Sequence, residues 1–371
     1  MAGIYLHIPF CKQACHYCDF HFSTKLSNKK EVVEALCKEL KMKSNQEEIH
    51  SIYFGGGTPS ILTEHELSII LKSVKKHYHV SDKVEVTLEA NPDDIDQSKL
   101  EFWKSQGINR LSIGIQSFKQ EDLDFMNRAH NSKEAFDSLQ LARNYFDNIT
   151  ADLIYGTPGL TMEQWDNNIE QLLKLGIPHI SAYALTVEPK TALDYFIKSG
   201  KVRPLDEKQA ESQFNHLVRR LNQEGFSHYE ISNFAKEPYR SQHNSSYWLG
   251  AHYVGIGPGA HSFDGEIRSW NISNNSKYIE ALKEGRLSQE QEILSPKDRY
   301  NEYMMTGLRT DYGVSKKYLQ ENFGTQGLNQ FLKDSEKYRV HGEIIETQEV
   351  FLLSHQARFK ADGIASDLFW L

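Results

Sequence analysis

The sequence predicts an α/β protein, a partial (β/α)6 barrel followed by a smaller helical unit of winged-helix-like pattern. Three observations predict it. Over the first two hundred residues, short β-branched or apolar runs alternate with longer stretches of helical period. That order builds a parallel sheet with right-handed crossovers. The first five runs each end in residues suited to chemistry or tight turning, as barrel strands do at their C-terminal ends. Beyond about residue 285 the alternation gives way to helix signals. At 371 residues the chain exceeds one typical domain, so a large unit over 1–285 and a smaller one over 286–371 are expected.

Residues 4–8 form the first candidate strand and lead to Cys11, Cys15 and Cys18, a C-x3-C-x2-C run holding three of the four cysteines. A 4Fe–4S cluster is held by Cys thiolates. Three thiolates leave one iron without a protein ligand, and an open position separates a working metal centre from a closed one. A zinc knuckle needs a fourth ligand and usually pairs two such clusters. Only Cys37 remains, inside a stretch of helical period, where it reads as a small buried apolar residue. His16, between the cysteines, reads as a solvated or supporting group.

The next candidate strand, residues 51–54, ends in Gly55-Gly56-Gly57-Thr58-Pro59. Glycines there permit positive φ and close approach of backbone to a ligand. No Gly-Lys-Ser/Thr follows, so this is not a phosphate loop. Residues 84–89 end in Glu89-Ala90-Asn91-Pro92, a carboxylate beside an amide that suits a ribose hydroxyl pair or an ammonium. Residues 110–115 lead to Gln116, residues 149–154 carry Asp152 ahead of Gly156-Thr157-Pro158-Gly159, and residues 179–184 close the series at Ala184. Amphipathic stretches at 30–43, 64–77, 133–146 and 162–175 supply helices between them. Any one strand end reads as a turn or a cap; their succession argues for a site.

The formal charge is -8, from 42 Lys+Arg against 50 Asp+Glu. Such a balance argues against general nucleic-acid affinity, which needs a basic face. No run of 18 apolar residues and no charged start before an apolar segment is present, so neither a membrane span nor a signal peptide is expected. Clustered cysteines are not a disulfide framework. The expectation is a cytoplasmic protein in which reduced thiols and a labile cluster persist.

The cysteine and glycine motifs resemble those of the radical S-adenosylmethionine (SAM) superfamily, and about the first 260 residues look like its coproporphyrinogen-oxidase-like family. The resemblance implies a cluster on Cys11, Cys15 and Cys18 whose open iron is chelated by SAM. It implies that the reduced cluster cleaves SAM to methionine and a 5′-deoxyadenosyl radical. It further implies SAM-region roles for Tyr5, Gly55, Gly56, Gly57, Thr58, Glu89, Gln116, Arg128, Asp152 and Ala184. Two departures argue against tetrapyrrole oxidation. Phe20 stands where coproporphyrinogen dehydrogenases carry a further Cys, and Tyr5 lies only four residues from the start, without their N-terminal cover.

His243-Asn244-Ser245-Ser246-Tyr247-Trp248 resembles the H-N-x-x-Y-W marker of the family's haem-chaperone group. Imidazole is a common axial ligand of haem iron, and aromatics can pack on a porphyrin. The resemblance therefore implies haem binding by His243, Tyr247 and Trp248, with His7, His16, His21 and His261 as rival ligands near the barrel mouth. Gly255-Ile256-Gly257-Pro258-Gly259-Ala260 is expected to form a tight loop there. The implied function is a haem chaperone with three cofactors: the 4Fe–4S cluster, SAM and haem. Its implied partners are acceptor haem proteins, respiratory haem enzymes and transiently membrane-associated acceptors among them, and an electron donor such as flavodoxin or ferredoxin. The alternatives are an oxygen-independent coproporphyrinogen III dehydrogenase and another radical SAM enzyme such as a methyltransferase.

In the last unit Ser295-Pro296 offers a helix cap. Gly313-Val314-Ser315 opens a second helix, and residues 343–345 and 350–353 alternate like a hairpin. Residues 291–371 carry ten Lys/Arg against twelve Asp/Glu, which favours partner docking or active-site cover over DNA. The connection between the units is expected within residues 285–294.

Overall fold

The computed structural model describes residues 2–371. Its large sheet contains β1 (Ala2–Ile8), β2 (Glu48–Gly56), β3 (His79–Ala90), β4 (Arg110–Gln116), β5 (Ile149–Tyr155), β6 (His179–Ala184), β7 (Ser227–Glu230), β8 (Asn233–Ala235), β9 (Tyr253–Ile256), β10 (His261–Phe263), β11 (Ile267–Asn271) and β12 (Gln289–Ile293). The order across it is β12-β11-β10-β9-β1-β2-β3-β4-β5-β6-β8-β7. The six predicted strands are the parallel centre, β1 to β6. A seventh parallel strand, β9, joins beside β1. It escapes a sequence reading because Tyr-Val-Gly-Ile is short and runs straight into the glycine loop, which the structure starts inside the strand.

The strands alternate cleanly. Ile4, Leu6, Ile8, Ile52, Phe54, Val86, Leu88, Leu111, Ile113, Ile149, Ala151 and Ile180 are buried on one face, with the helices Lys29–Met42, Glu64–His77, Ser132–Ala142 and Met162–Lys174 among the crossovers. The opposite face carries Tyr5, His7, Ser51, Tyr53, Glu85, Thr87, Glu89, Arg110, Ser112, Thr150, Asp152, His179 and Ser181, as period-two geometry requires. Small barrels fill their interior with apolar side chains; this one lines it with hydroxyls, carboxyls and imidazoles. Burying polar groups costs several kcal/mol each unless they are hydrogen-bonded, so the interior is organised by bonds among them.

The segment expected as a linker contains β12, exposed at all of its residues. An edge strand without an apolar face carries no period-two signal, so polar composition alone reads as a connection. The C-terminal unit comprises the helices Pro296–Leu308 and Lys316–Asp334 and a small sheet of β13 (Val314–Ser315), β14 (Ile344–Glu346) and β15 (Val350–Leu353), ordered β13-β15-β14. Ser295 closes a capping box with Asp298, with Pro at the first turn, as expected. This unit touches both margins of the large sheet. Thr310 bridges Glu230, the last residue of β7, and Arg358 donates to the His228 carbonyl at 2.6 Å. Near the other margin Glu302 pairs with Arg268 of β11 at 2.7 Å.

Candidate cluster and cofactor site

The cysteine loop leaves β1 through Pro9 and Phe10 and is fastened at each end. Cys11 N–H donates to the Ser23 carbonyl (3.1 Å) and Ser23 N–H to the Pro9 carbonyl (2.9 Å). The middle is clamped by the segment Met126-Asn127-Arg128. His16 N–H donates to the Met126 carbonyl (3.1 Å), the Gln13 amide donates to Asn127 Oδ1 (2.8 Å), and Asn127 Nδ2 donates to the Ala14 carbonyl (2.7 Å). Asn127 adopts φ of 56°, a left-handed conformation that Asn tolerates better than most residues. Sequence reading singles out Arg128 but not Asn127, although a left-handed Asn at the end of helix Gln120–Met126 is a recognisable cap. We expect Asn127→Ala to release iron to a chelator several times faster than the parent, with Asn127→Gly between them. Equal rates in all three would show that the clamp does not hold the loop.

Cys11, Cys15 and Cys18 are free and half-buried. Burial pushes the Cys18 thiol up to about 11, with neighbouring cysteines adding repulsion, and burial likewise raises Cys11 against the Thr58 hydroxyl bond that lowers it. Cys11 and Cys18 therefore resist becoming thiolates by themselves, and a polycation such as an iron cluster is what reverses this. Arg128 adds a fixed cation. Its guanidinium lies 3.4 Å from Cys15 Sγ and donates to Asn91 Oδ1 (2.8 Å) and the Gly114 carbonyl (2.9 Å), leaving a buried Nε unpartnered. Three thiols are the donor type an iron–sulfur cluster takes, although among the described residues their side chains do not converge as a metal-binding group.

The glycine run lies directly under this loop. Gly57 N–H donates to the Ile8 carbonyl (2.9 Å) and Thr58 N–H to the Phe10 carbonyl (2.7 Å). A Cβ at Gly57 would stand 2.6 Å from the Phe10 oxygen, and one at Gly56 would stand 2.5 Å from the His7 ring. A Cβ at Gly55 would meet Tyr53, Tyr5 and Glu89 within 3.1 Å. The glycines are thus required by close packing of β2 against the end of β1.

Along the inner face, Glu89 Oε1 accepts from Tyr53 OH at 2.8 Å, and Ser112 Oγ lies 3.4 Å from both Asp152 oxygens. Burial pushes Glu89 up to about 7. Burial, with the Glu89 charge adding to it, pushes Asp152 up to about 8. Gln116 closes β4 with φ of 66° where the β4–β5 register shifts, a bulge beside the site. Tyr5 stacks on Tyr53 (6.2 Å between centroids), and Ala184 ends β6 opposite Tyr155. Tyr53 is a site residue that sequence reading missed; its signal is the period-two relation to Gly55 on the same strand.

Residues 5–172 match the model of the radical SAM superfamily. Over 375 aligned residues the chain is 35% identical to "Heme chaperone HemW" of Bacillus subtilis (strain 168), covering 98% of each. The chain belongs to the radical SAM superfamily, within its HemW family. It is also 32% identical to "Radical S-adenosyl methionine domain-containing protein 1, mitochondrial" of Danio rerio, covering 85% of this chain and 74% of that one. In fold it is similar to coproporphyrinogen III oxidase (HemN) from Escherichia coli, with a TM-score of 0.85, 20% identity, and coverage of 99% and 90%. A radical SAM chain carries a 4Fe–4S cluster and SAM.

The H-N-x-x-Y-W run of this radical SAM chain lies elsewhere than expected. It forms the helix Gln242–Trp248, whose first backbone N–H groups donate to both oxygens of Glu85 (3.1 and 3.0 Å). The His243 ring enters the barrel between the strand starts, bonded through Nδ1 to Ser51 Oγ (2.8 Å) and through Nε2 to Tyr247 OH (2.9 Å). It stacks on Tyr53 at 5.0 Å and is 1% exposed. His243, expected near the barrel mouth, lies instead at the strand-start end of the barrel. Both ring nitrogens are engaged, and Tyr5 and Tyr53 stand between His243 and the cofactor end. Glu85 and Glu89, four residues apart on β3, put those two levels about 13 Å apart. Trp248 faces the C-terminal unit, with the Arg309 guanidinium 5.2 Å over its ring. The three marker residues plug the strand-start end and tie it to the second unit. Among the rivals, His7 uses both nitrogens (Tyr5 OH 3.2 Å, His21 carbonyl 2.8 Å), while His16 and His21 use one each.

Proposed function

We propose that this chain is a haem chaperone with a radical SAM core, which binds haem and delivers it to acceptor haem proteins. The observation that carries this reading is similarity over 98% of both chains to a protein named as a haem chaperone. Phe20 supports it, because this exposed residue stands where a dehydrogenase would carry another thiol. Cys11, Cys15 and Cys18 hold the cluster, which when bound supplies the electron that cleaves the sulfonium bond of SAM. Tyr5, the Gly55–Thr58 turn, Glu89, Gln116, Arg128, Asp152 and Ala184 line the SAM end. Thr58 and Arg128 orient the thiolates, and Glu89 and Asp152 face the ligand with their carboxyls. A flavodoxin- or ferredoxin-type donor reduces the cluster, and respiratory haem enzymes, reached in transient encounters at the membrane among other places, are the acceptors. Among the described residues no helix is long and apolar enough to cross a membrane.

The test mixes anaerobically reconstituted protein with haem and, separately, with coproporphyrinogen III, SAM and reductant. A Soret band and haem transfer to an apo-protein are expected, with no protoporphyrinogen above the protein-free control. Turnover of coproporphyrinogen would establish the oxidase reading instead.

A pH dependence follows from the two carboxyls. Their folded-state pKa values of about 7 and about 8 exceed the unfolded ones, which lie near ~4. Their contribution to stability is therefore complete below about pH 4 and is lost as pH rises through 7 to 8. SAM is cationic, so its binding favours the ionised pair. We expect SAM affinity to rise between pH 6 and pH 8.5, and calorimetry in two buffers to show proton release near pH 7. Glu89→Gln should remove much of that release; a pH-independent affinity with no proton release would refute the assignment.

A further inference from the structure

Gln116, the last residue of β4, holds φ of 66°, in the left-handed region that suits glycine. Across it the Ser117 N–H donates back to the Ile115 carbonyl at 2.8 Å. A bond over two residues about a centre of positive φ is a γ-turn of the rare, strained kind. Strained backbone persists only where its surroundings over-determine it. A glycine would take this φ without strain, so a Gln here gains only through its side chain.

That side chain folds back along β4. A Cβ at Gly114 would meet Gln116 Nε2 at 2.9 Å, Arg128 Nη2 at 3.1 Å and Asn91 Oδ1 at 3.7 Å. Gly114 thus leaves room for the amide to lie beside the Arg128–Asn91 pair. The other terminal nitrogen of Arg128 lies 3.4 Å from Cys15 Sγ.

Four buried side chains, none of them on β4, hold the turn. Ser117 is 0% exposed and its hydroxyl is saturated. It donates to Asp122 Oδ2 (2.8 Å) and accepts from Asn168 Nδ2 (3.1 Å) and the Lys119 N–H (3.0 Å). Asn168, on the helix Met162–Lys174, also accepts the Phe118 N–H through Oδ1 at 3.0 Å. The Ile115 carbonyl, already the acceptor of the turn bond, takes a second bond at 3.0 Å from His130 Nε2, which therefore carries the ring proton. Asp122, His130 and Asn168 are buried as well. The chain is locked on both sides of Gln116, at Ile115 before it and at Ser117 and Phe118 after it. Removing one partner leaves a buried donor or acceptor unsatisfied.

Resting on the reading that SAM binds at this end, we propose that Ser117, Asp122, His130 and Asn168 are positioning residues that hold the strained turn and so present the Gln116 amide to the ligand beside Arg128. None of the four touches the ligand. The strain is set when the chain folds, so the amide is ordered before the ligand arrives and binding loses less entropy in ordering it.

The test combines Gln116→Ala, Gln116→Gly and Asn168→Ala, with the doubles of Asn168→Ala and each change at Gln116. Affinity of the full-length, cluster-loaded proteins for SAM is read by calorimetry, and their thermal unfolding without SAM by circular dichroism. Asn168→Ala and Gln116→Ala should each weaken SAM binding about fivefold or more, as loss of a neutral hydrogen bond does. Their double variant should bind no more weakly than Gln116→Ala alone, because the lock acts through that amide. In unfolding, Gln116→Gly should melt several degrees above Gln116→Ala, and the gap should close once Asn168→Ala releases the turn. Parental affinity in Asn168→Ala, or losses that multiply in the double variant, overturn the positioning role. A gap that persists without Asn168 overturns the lock itself. A parent that binds no SAM overturns the reading of this end as the SAM site, while the unfolding gap still decides whether the lock holds the turn.

Discussion

Alanine in place of Cys11, Cys15 or Cys18 is expected to abolish the 4Fe–4S cluster, whereas Cys37→Ala should leave iron content unchanged. If the three thiols of this short loop are the cluster's protein ligands, one iron has none, and removing one thiol leaves a cluster held at two corners. Metal binding to such a loop is strongly coupled to its order, and the Ser23 and Asn127 contacts fix the loop backbone without replacing a ligand. Cys37 lies on the helix Lys29–Met42, its sulfur 3.9 Å from the Ile69 carbonyl of the next helix, packed against the outer core. Iron and sulfide analysis with the visible absorption of reconstituted protein reads the result. A requirement for Cys37 equal to that for the other three would remove the open-iron argument.

The largest effect on stability is expected at Glu39. The residue is 0% exposed, and its carboxylate takes bonds from the Gly257 N–H (2.8 Å), Asn271 Nδ2 (2.6 Å), Tyr278 OH (2.5 Å) and Lys43 Nζ (2.8 Å). Lys43 also donates to the Gly255 carbonyl at 3.0 Å. Glu39→Ala leaves a largely buried ammonium without its counter-charge and takes the carboxylate acceptor from the Gly257 N–H and the Tyr278 hydroxyl, and breaking a buried pair costs about 3–5 kcal/mol. Glu39→Gln keeps the shape and part of the bonding and should lose less. The damage reaches the site, because Gly257 lies against His7, where a Cβ would meet the His7 carbonyl at 2.5 Å. Urea unfolding of the two variants and the parent decides the matter. A loss below about 1 kcal/mol for Glu39→Ala would mean that the cluster of bonds is not what holds the β9 loop.

The central strands were legible because each alternates apolar and polar residues and ends in a motif with its own chemistry. The cysteine run and the Gly55–Thr58 turn stand out by spacing alone. Glu89 and Asp152 read as strand-end carboxyls, and they do line one interior. Tyr53, Asn127 and the whole of β9 to β12 were not legible. Tyr53 looks like core until its face is known, Asn127 acts through a backbone conformation, and β10 and β12 are short or exposed throughout, with no periodic signal.

His243 shows the division most sharply. Sequence alone determined that this chain carries a three-cysteine loop, a glycine turn and an H-N-x-x-Y-W run, because identity and spacing are local properties. Only the tertiary structure decided which end of the barrel each occupies. An imidazole becomes a ligand or a structural bond by what surrounds its two nitrogens. For His243 those neighbours are Ser51, 192 residues away in sequence, and Tyr247 on its own helix.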